Sequence, residues 1–182
     1  MRIVGGEFRS RRLHVPKGGD VRPTTDRVRE SVFNVVDARF DMDGASVLDL
    51  FAGTGALGLE ALSRGGAHCT FVEQSRTVAD VLRRNIAMLD VAERTRVVVT
   101  DVFKWLTSSN GAVFDLIFAD PPYDAADAGR LPEIVEPCLA QGGLFVLEHD
   151  ASRSHDFADR SSLVLSRAYG RTVVSIFCKS TG

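Results

Sequence analysis

The stretch Val47-Leu48-Asp49-Leu50-Phe51-Ala52-Gly53-Thr54-Gly55-Ala56-Leu57-Gly58 leaves this chain few folds to choose from. An apolar strand runs into a glycine turn and straight out into a helix. A strand buried on both faces and followed at once by a helix belongs to a crossover unit, and crossover units stack into a parallel sheet with helices over its faces. The rest of the chain repeats the pattern. Strands are predicted at 46–50, 68–73, 96–100, 114–119 and 143–148. Between them lie helices at 56–64, after a capping Ser75 with Val78, Val81, Leu82, Ile86 and Leu89 on one stripe, at Val102 to Leu106 and at Pro132 to Leu139. Leu163 to Tyr169 and Thr172 to Lys179 flank Gly170-Arg171 as a terminal hairpin. The expected fold class is α/β, a mostly parallel sheet carrying a C-terminal antiparallel pair. A chain of 182 residues, 45% of them hydrophobic, supports one well-buried core and not two.

The N-terminus departs from this rhythm. Arg2-Ile3-Val4 and Arg11 to Val15 read as a small β-hairpin turning through Gly5-Gly6. After the loop Lys17-Gly18-Gly19-Asp20, Thr24 or Thr25 caps a helix with Val28, Val32, Val35 and Val36 on its apolar side. Residues 1–20 are thus expected to form a basic hairpin extension and 21–182 the main domain. The net charge of −2 conceals an asymmetry, since residues 1–40 carry nine Lys and Arg against five Asp and Glu. A polyanion would bind at that end, with Arg2, Arg9, Arg11, Arg12, Arg22 and Arg27 as its phosphate contacts. Cys69, Cys138 and Cys178 have no metal-ligand spacing and read as buried thiols, and no metal is expected. No apolar run is long enough to cross a bilayer and the N-terminus has no signal-peptide character, which points to a cytoplasmic protein.

Gly53, Gly55 and Gly58 satisfy G-x-G-x-x-G, a pattern shared by folds that bind NAD and folds that bind S-adenosylmethionine. Glu73, ending the second strand, suits ribose hydroxyls in either case. Asp49 discriminates, because a carboxylate just before the loop repels a pyrophosphate and pairs with an ammonium. Asp101 after the third strand is placed for an adenine amino group, with Val102 packing on the ring, and Phe51 belongs to the same cofactor set. After the fourth strand comes Asp120-Pro121-Pro122-Tyr123. The prolines end the strand and leave carbonyls outside the ladder. A carboxylate and a carbonyl at fixed separation accept both hydrogens of a nucleobase amine, and Tyr123 can stack on the ring, worth roughly 1 to 3 kcal/mol.

Asp49-Leu50-Phe51-Ala52-Gly53-Thr54-Gly55 followed by Asp120-Pro121-Pro122-Tyr123 resembles the amino-methyltransferases that use S-adenosylmethionine. Met1 to Gly6, Arg22 to Glu30 and Gly53 to Gly66 narrow the resemblance to the RsmD family of bacterial 16S rRNA (guanine-N2)-methyltransferases. That resemblance implies a Rossmann-like class I methyltransferase domain of seven strands with an N-terminal hairpin for RNA. It also implies S-adenosylmethionine as cofactor and a guanine of 16S rRNA in the small ribosomal subunit as substrate. Three other readings stay open on sequence: adenine-N6 methylation of DNA, which Asp120 to Tyr123 would serve equally well; NAD-dependent oxidoreduction; and a noncatalytic RNA-binding scaffold.

Overall fold

The computed structural model describes residues 1–16, 26–109, 111–122, 128–151 and 162–179. One mixed sheet of seven strands carries the fold. The strands are β1 (Ser46–Leu50), β2 (His68–Glu73), β3 (Thr95–Val99), β4 (Phe114–Ala119), β5 (Leu139–Asp150), β6 (Leu163–Tyr169) and β7 (Thr172–Cys178), in the order β3-β2-β1-β4-β5-β7-β6. β3 through β5 are parallel, and β7 runs antiparallel between β5 and β6. The helices are α1 (Asp26–Asp37), α2 (Ala56–Ser63), α3 (Arg76–Leu89), α4 (Val102–Ser108) and α5 (Leu131–Val135). Alternate strand residues feed two cores. Val47, Leu116, Phe118, Leu144 and Val146 pack with α1, α2 and α3, while Leu48, Leu50, Ile117, Phe145 and Leu147 pack with α4 and α5. This is the two-sided, seven-stranded Rossmann-like architecture that the sequence pattern and the resemblance predicted.

The structure redraws three elements. The helix expected from Pro132 to Leu139 stops at Val135 and tightens into a 3-10 turn over Glu136–Cys138. Pro137 explains the change: it has no N–H to give and its ring crowds the preceding turn. β5 starts earlier than its apolar run, because Leu139 already pairs with Phe114. Between that pair and Leu116 with Leu144 the register slips, so Ala140-Gln141-Gly142 forms an outward bulge with Gly142 at φ 72°. The third change is at the N-terminus, where the predicted hairpin reduces to a single bridge between Arg2 and Arg12. Ile3 N–H still donates to the Arg11 carbonyl at 3.0 Å and Leu13 N–H to the Met1 carbonyl at 3.2 Å.

Pairing ends after Ile3 because Glu60 takes the next two donors. Val4 N–H and Gly5 N–H bond to its two carboxylate oxygens, each at 2.7 Å. Glu60 lies on α2 with no exposed surface, as does Arg29 on α1, whose Nε stands 3.8 Å from the same carboxylate. Arg29 also donates to the Arg2 carbonyl and to Asp26, and Arg64 reaches Glu60 at 2.9 Å while lying over the Phe33 ring. Ser63 Oγ donates to the Gly5 carbonyl at 2.6 Å and accepts from Phe8 N–H at 2.9 Å. Ile3 and Leu13 are buried in the same core as Leu59 and Leu62. Residues 4–8 are thereby sewn onto α2.

Candidate active site

Register in the parallel half of the sheet brings the strand ends to one rim. Leu50 pairs with Val72 on one side and Ala119 on the other, Glu73 with Val99, and Ala119 with Leu147. Just beyond those pairs lie Phe51, Asp101, Asp120 and Glu148. This is the edge where doubly wound sheets bind ligands, and β1 lies between the two directions of strand progression.

At the centre of the rim the chain turns through an unusual backbone. Phe51, Gly53 and Gly55 have φ of 56°, 55° and 81°. A left-handed phenylalanine is strained by about 1 to 3 kcal/mol, and such strain concentrates at ligand sites. Its ring is half-buried and meets Phe103 of α4 edge-on, with centroids 6.2 Å apart. The three glycines have separate duties. A Cβ on Gly55 would strike Leu82, one on Gly58 would lie 2.6 Å from Cys69 Sγ and overlap the Phe71 ring, whereas one on Gly53 would meet nothing closer than 3.9 Å. Gly55 and Gly58 let α2 seat against β2 and α3. Gly53 keeps an open face, the one a ligand can approach.

Two carboxylates hold this loop. Glu73 accepts from Gly53 N–H at 2.9 Å and from Ser75 N–H at 2.8 Å, which ties the end of β2 to the turn. Asp49 is 2% exposed and accepts from Gly58 N–H at 2.9 Å in the first turn of α2. Burial pushes the Asp49 carboxyl well above the ordinary carboxylate range despite that hydrogen bond, and the negative charges of Asp120 and Glu73 push it the same way. Asp49, Asp120 and Glu73 thus lie near enough for their negative charges to bear on one another. They are the wrong lining for a pyrophosphate.

Asp49→Asn separates fold from function. The amide oxygen still accepts from Gly58, and the buried charge is gone. A carboxyl whose folded pKa is raised contributes stability that is present below its unfolded pKa and is lost as pH rises through the folded value. The variant is therefore expected to melt higher than the native chain at neutral pH, by a few degrees, with the gap closing on acidification through the ordinary carboxylate range. Thermal unfolding at a series of pH values checks it. A gap independent of pH would show that the buried charge is not its source.

Around the rim, Asp101 caps α4 by accepting from Lys104 N–H at 2.9 Å, and Val102 behind it is 2% exposed in the second core. Asp120 is exposed, Pro121 buried and Pro122 exposed. Tyr123 and Arg22, two of the predicted site residues, lie outside the described residues, as do the capping Thr24 and Thr25. Glu148 and His149 are buried at the end of β5, and His149 Nε2 meets Ser175 Oγ at 3.0 Å. Arg9, Arg11, Arg12 and Arg27 are exposed. Arg2 is tied to Asp26 at 3.0 Å with its side chain 59% exposed. No helix among the described residues is long and apolar enough to cross a membrane.

Sequence reasoning missed Arg29, Glu60 and Asn85. For two of them the signal is plain: Glu60 is the single charge in Ala-Leu-Gly-Leu-Glu-Ala-Leu-Ser, and Asn85 interrupts the stripe Leu82, Ile86, Leu89. All three are fully buried. A polar residue on an apolar helix face is a buried partner waiting for its counterpart.

Comparison with known proteins bears on the chain as a whole. The Bacillus subtilis protein named "Putative rRNA methyltransferase YlbH" is 36% identical over 98% of this chain and 99% of its own length. Ribosomal RNA small subunit methyltransferase D of Escherichia coli is 44% identical over 68% of this chain, which spans 60% of that enzyme. The solved structure "Putative methyltransferase yhhF from Escherichia coli" superposes with a TM-score of 0.87 at 32% identity, covering 100% of this chain and 99% of the other. The family model described as Conserved hypothetical protein 95 matches residues 1–178, and the chain belongs to that family, the RsmD family of methyltransferases.

Proposed function

We propose that this protein transfers a methyl group from S-adenosylmethionine to the exocyclic N2 amine of a guanine in small-subunit rRNA. The observation that carries the reading is the convergence on one rim of the Asp49, Gly53 and Glu73 loop with Asp120-Pro121-Pro122. The carboxylate lining fits a donor with a cationic amino-acid end, and the names of the two rRNA methyltransferase relatives support an rRNA acceptor. When bound, S-adenosylmethionine supplies an electrophilic methyl group. Asp49 would face the donor's ammonium, Glu73 its ribose hydroxyls, Asp101 its adenine amine with Val102 beneath the ring, and Phe51 with Gly53 would border it.

The chain's own contribution is orientation. The N2 lone pair of guanine is delocalised into the ring, so the amine attacks only when rotated or pyramidalised. Asp120 and the Pro121 carbonyl would impose that by accepting its two hydrogens, and the buried Pro121 ring keeps the pair at fixed separation. Proximity and orientation of this kind are worth about 7 to 11 kcal/mol, so no strong base is needed before transfer. The proton then leaves an already acidic methylated amine. A paired base cannot reach the rim, so the target must be unpaired or flipped out, with Tyr123 stacking on it.

Incubating the protein with labelled S-adenosylmethionine and three acceptors, namely small ribosomal subunits, free rRNA and duplex DNA, then digesting to nucleosides, tests this. N2-methylguanosine from rRNA is the expected product. Label in N6-methyladenine from DNA would overturn the acceptor assignment, and no label anywhere would overturn the donor.

The exposed arginines of the arm are proposed to grip phosphates, sequence-independently. Changing Arg9, Arg11 and Arg12 together to Ala should weaken binding to the acceptor RNA and reduce the slope of log affinity against log salt by about 0.7 for each phosphate no longer neutralised. An unchanged slope would place the RNA elsewhere.

A further inference from the structure

We propose that the N-terminal arm is part of the methyl-donor site, and that Asn85 is the positioning residue that makes it so. Asn85 sits on α3 with no exposed surface, between the arm and the glycine loop. Its Nδ2 donates to the Thr54 carbonyl at 2.9 Å and to the His14 carbonyl at 3.2 Å, while its Oδ1 accepts from His14 N–H at 2.7 Å. An asparagine amide offers two donors and one acceptor oxygen, and all are engaged. Toward the arm it imitates a strand, satisfying both backbone groups of His14. Toward the loop it satisfies the Thr54 carbonyl between the two left-handed glycines, where no ladder is available.

Thr54 is held from a second side by the same arm, since its Oγ1 donates to Met1 Sδ at 3.3 Å. At the far end of α2, Glu60 and Ser63 hold Val4, Gly5 and Phe8. The arm therefore clamps both ends of the helix that the loop opens. It cannot leave without releasing Thr54, and with it the Gly53 face on which a donor would rest. The division that gives the arm to RNA and the loop to the donor does not describe this arrangement. A loop already held in shape binds without a further ordering cost. Releasing it weakens donor binding and leaves the chemical step, made at Asp120 on the neighbouring strand, untouched.

The inference rests on the reading that the loop binds S-adenosylmethionine, and the test keeps the two apart. The dissociation constant of S-adenosylmethionine is measured by calorimetry on the full chain and on Asn85→Ala and His14→Pro, each at a temperature where circular dichroism shows it folded. His14→Pro removes the backbone donor to Asn85 and leaves both Asn85 and Thr54 in place, so it serves if Asn85→Ala does not fold. Each variant should bind the donor about tenfold more weakly. Its KM for the donor should rise equally, with kcat at saturating donor within about twofold of the native chain. Native affinity in folded variants would make Asn85 a packing residue only and overturn the inference. A native chain that binds no S-adenosylmethionine would instead overturn the donor assignment on which it stands.

Discussion

Glu60→Ala should lower the melting temperature by about 10 °C. Its carboxylate accepts from three donors, Val4 N–H and Gly5 N–H at 2.7 Å and Arg64 Nε at 2.9 Å, and forms an ion pair with Arg29, whose Nε lies 3.8 Å away. Removing one member of a buried ion pair costs about 3 to 5 kcal/mol, because the other is left charged in a low dielectric. A domain of this size loses roughly 2 to 4 °C per kcal/mol. Two part-buried amides lose their acceptor at the same time. Thermal unfolding gives the number, and a fall of under two or three degrees would mean that water or a rearranged arm replaces the carboxylate.

A second substitution divides that loss. Buried ion pairs exchanged for apolar residues of similar volume often cost nothing. If Glu60 served only Arg29, the double variant Arg29→Met with Glu60→Leu would recover most of the stability. It should not, because Val4 and Gly5 remain without an acceptor and the arm loses its anchor. The residual loss measures the backbone clamp itself.

How far the chain could be read in advance follows from where its information is written. The strand and helix periods are local, and β1, β2, β4, β6 and the Ser75 cap on α3 emerged where the pattern put them, with Ser75 Oγ accepting from Val78 N–H. The helix ending early at Val135 was also local, since Pro137 announces it, but the apolar run through Leu139 outweighed that sign. The attachment of the arm was missed for a different reason. Two short basic strands around Gly5-Gly6 read as a hairpin, and residues 1–3 do pair with 10–13, but only Glu60, more than fifty residues along the chain, shows that the turn is tied to α2. Long-range polar pairing leaves no periodic trace. It leaves a misplaced charge, and Glu60 was legible as that. At the rim, the glycine pattern identified the loop but not the labour among its members, because the packing of Gly55 and Gly58 depends on Leu82 and Phe71, which only the folded chain brings near.

Asp120→Ala should reduce methyl transfer by a factor on the order of a thousand, while the affinity for S-adenosylmethionine changes by no more than about twofold; losing one preorganised group at a reacting centre has this scale. The asymmetry follows from placement. Asp120 lies beyond the end of β4, exposed, with a buried proline fixing the chain behind it, whereas the glycine loop takes its shape from Asp49, Glu73 and Asn85. Asp120→Asn sharpens the test. One amide oxygen can still accept a hydrogen from the base amine, but the carboxylate's charge is gone, so single-turnover rates should fall between those of the native chain and the alanine variant. Both variants also remove a negative charge that bears on Asp49. Asp49 should then ionise more readily in the fold, so the stability lost to its ionisation should level off at a lower pH than in the native chain. Transfer at the native rate in Asp120→Ala would show that the amine is oriented by other groups. Lost donor binding in that variant would show that Asp120 belongs to the donor's pocket and not to the acceptor's.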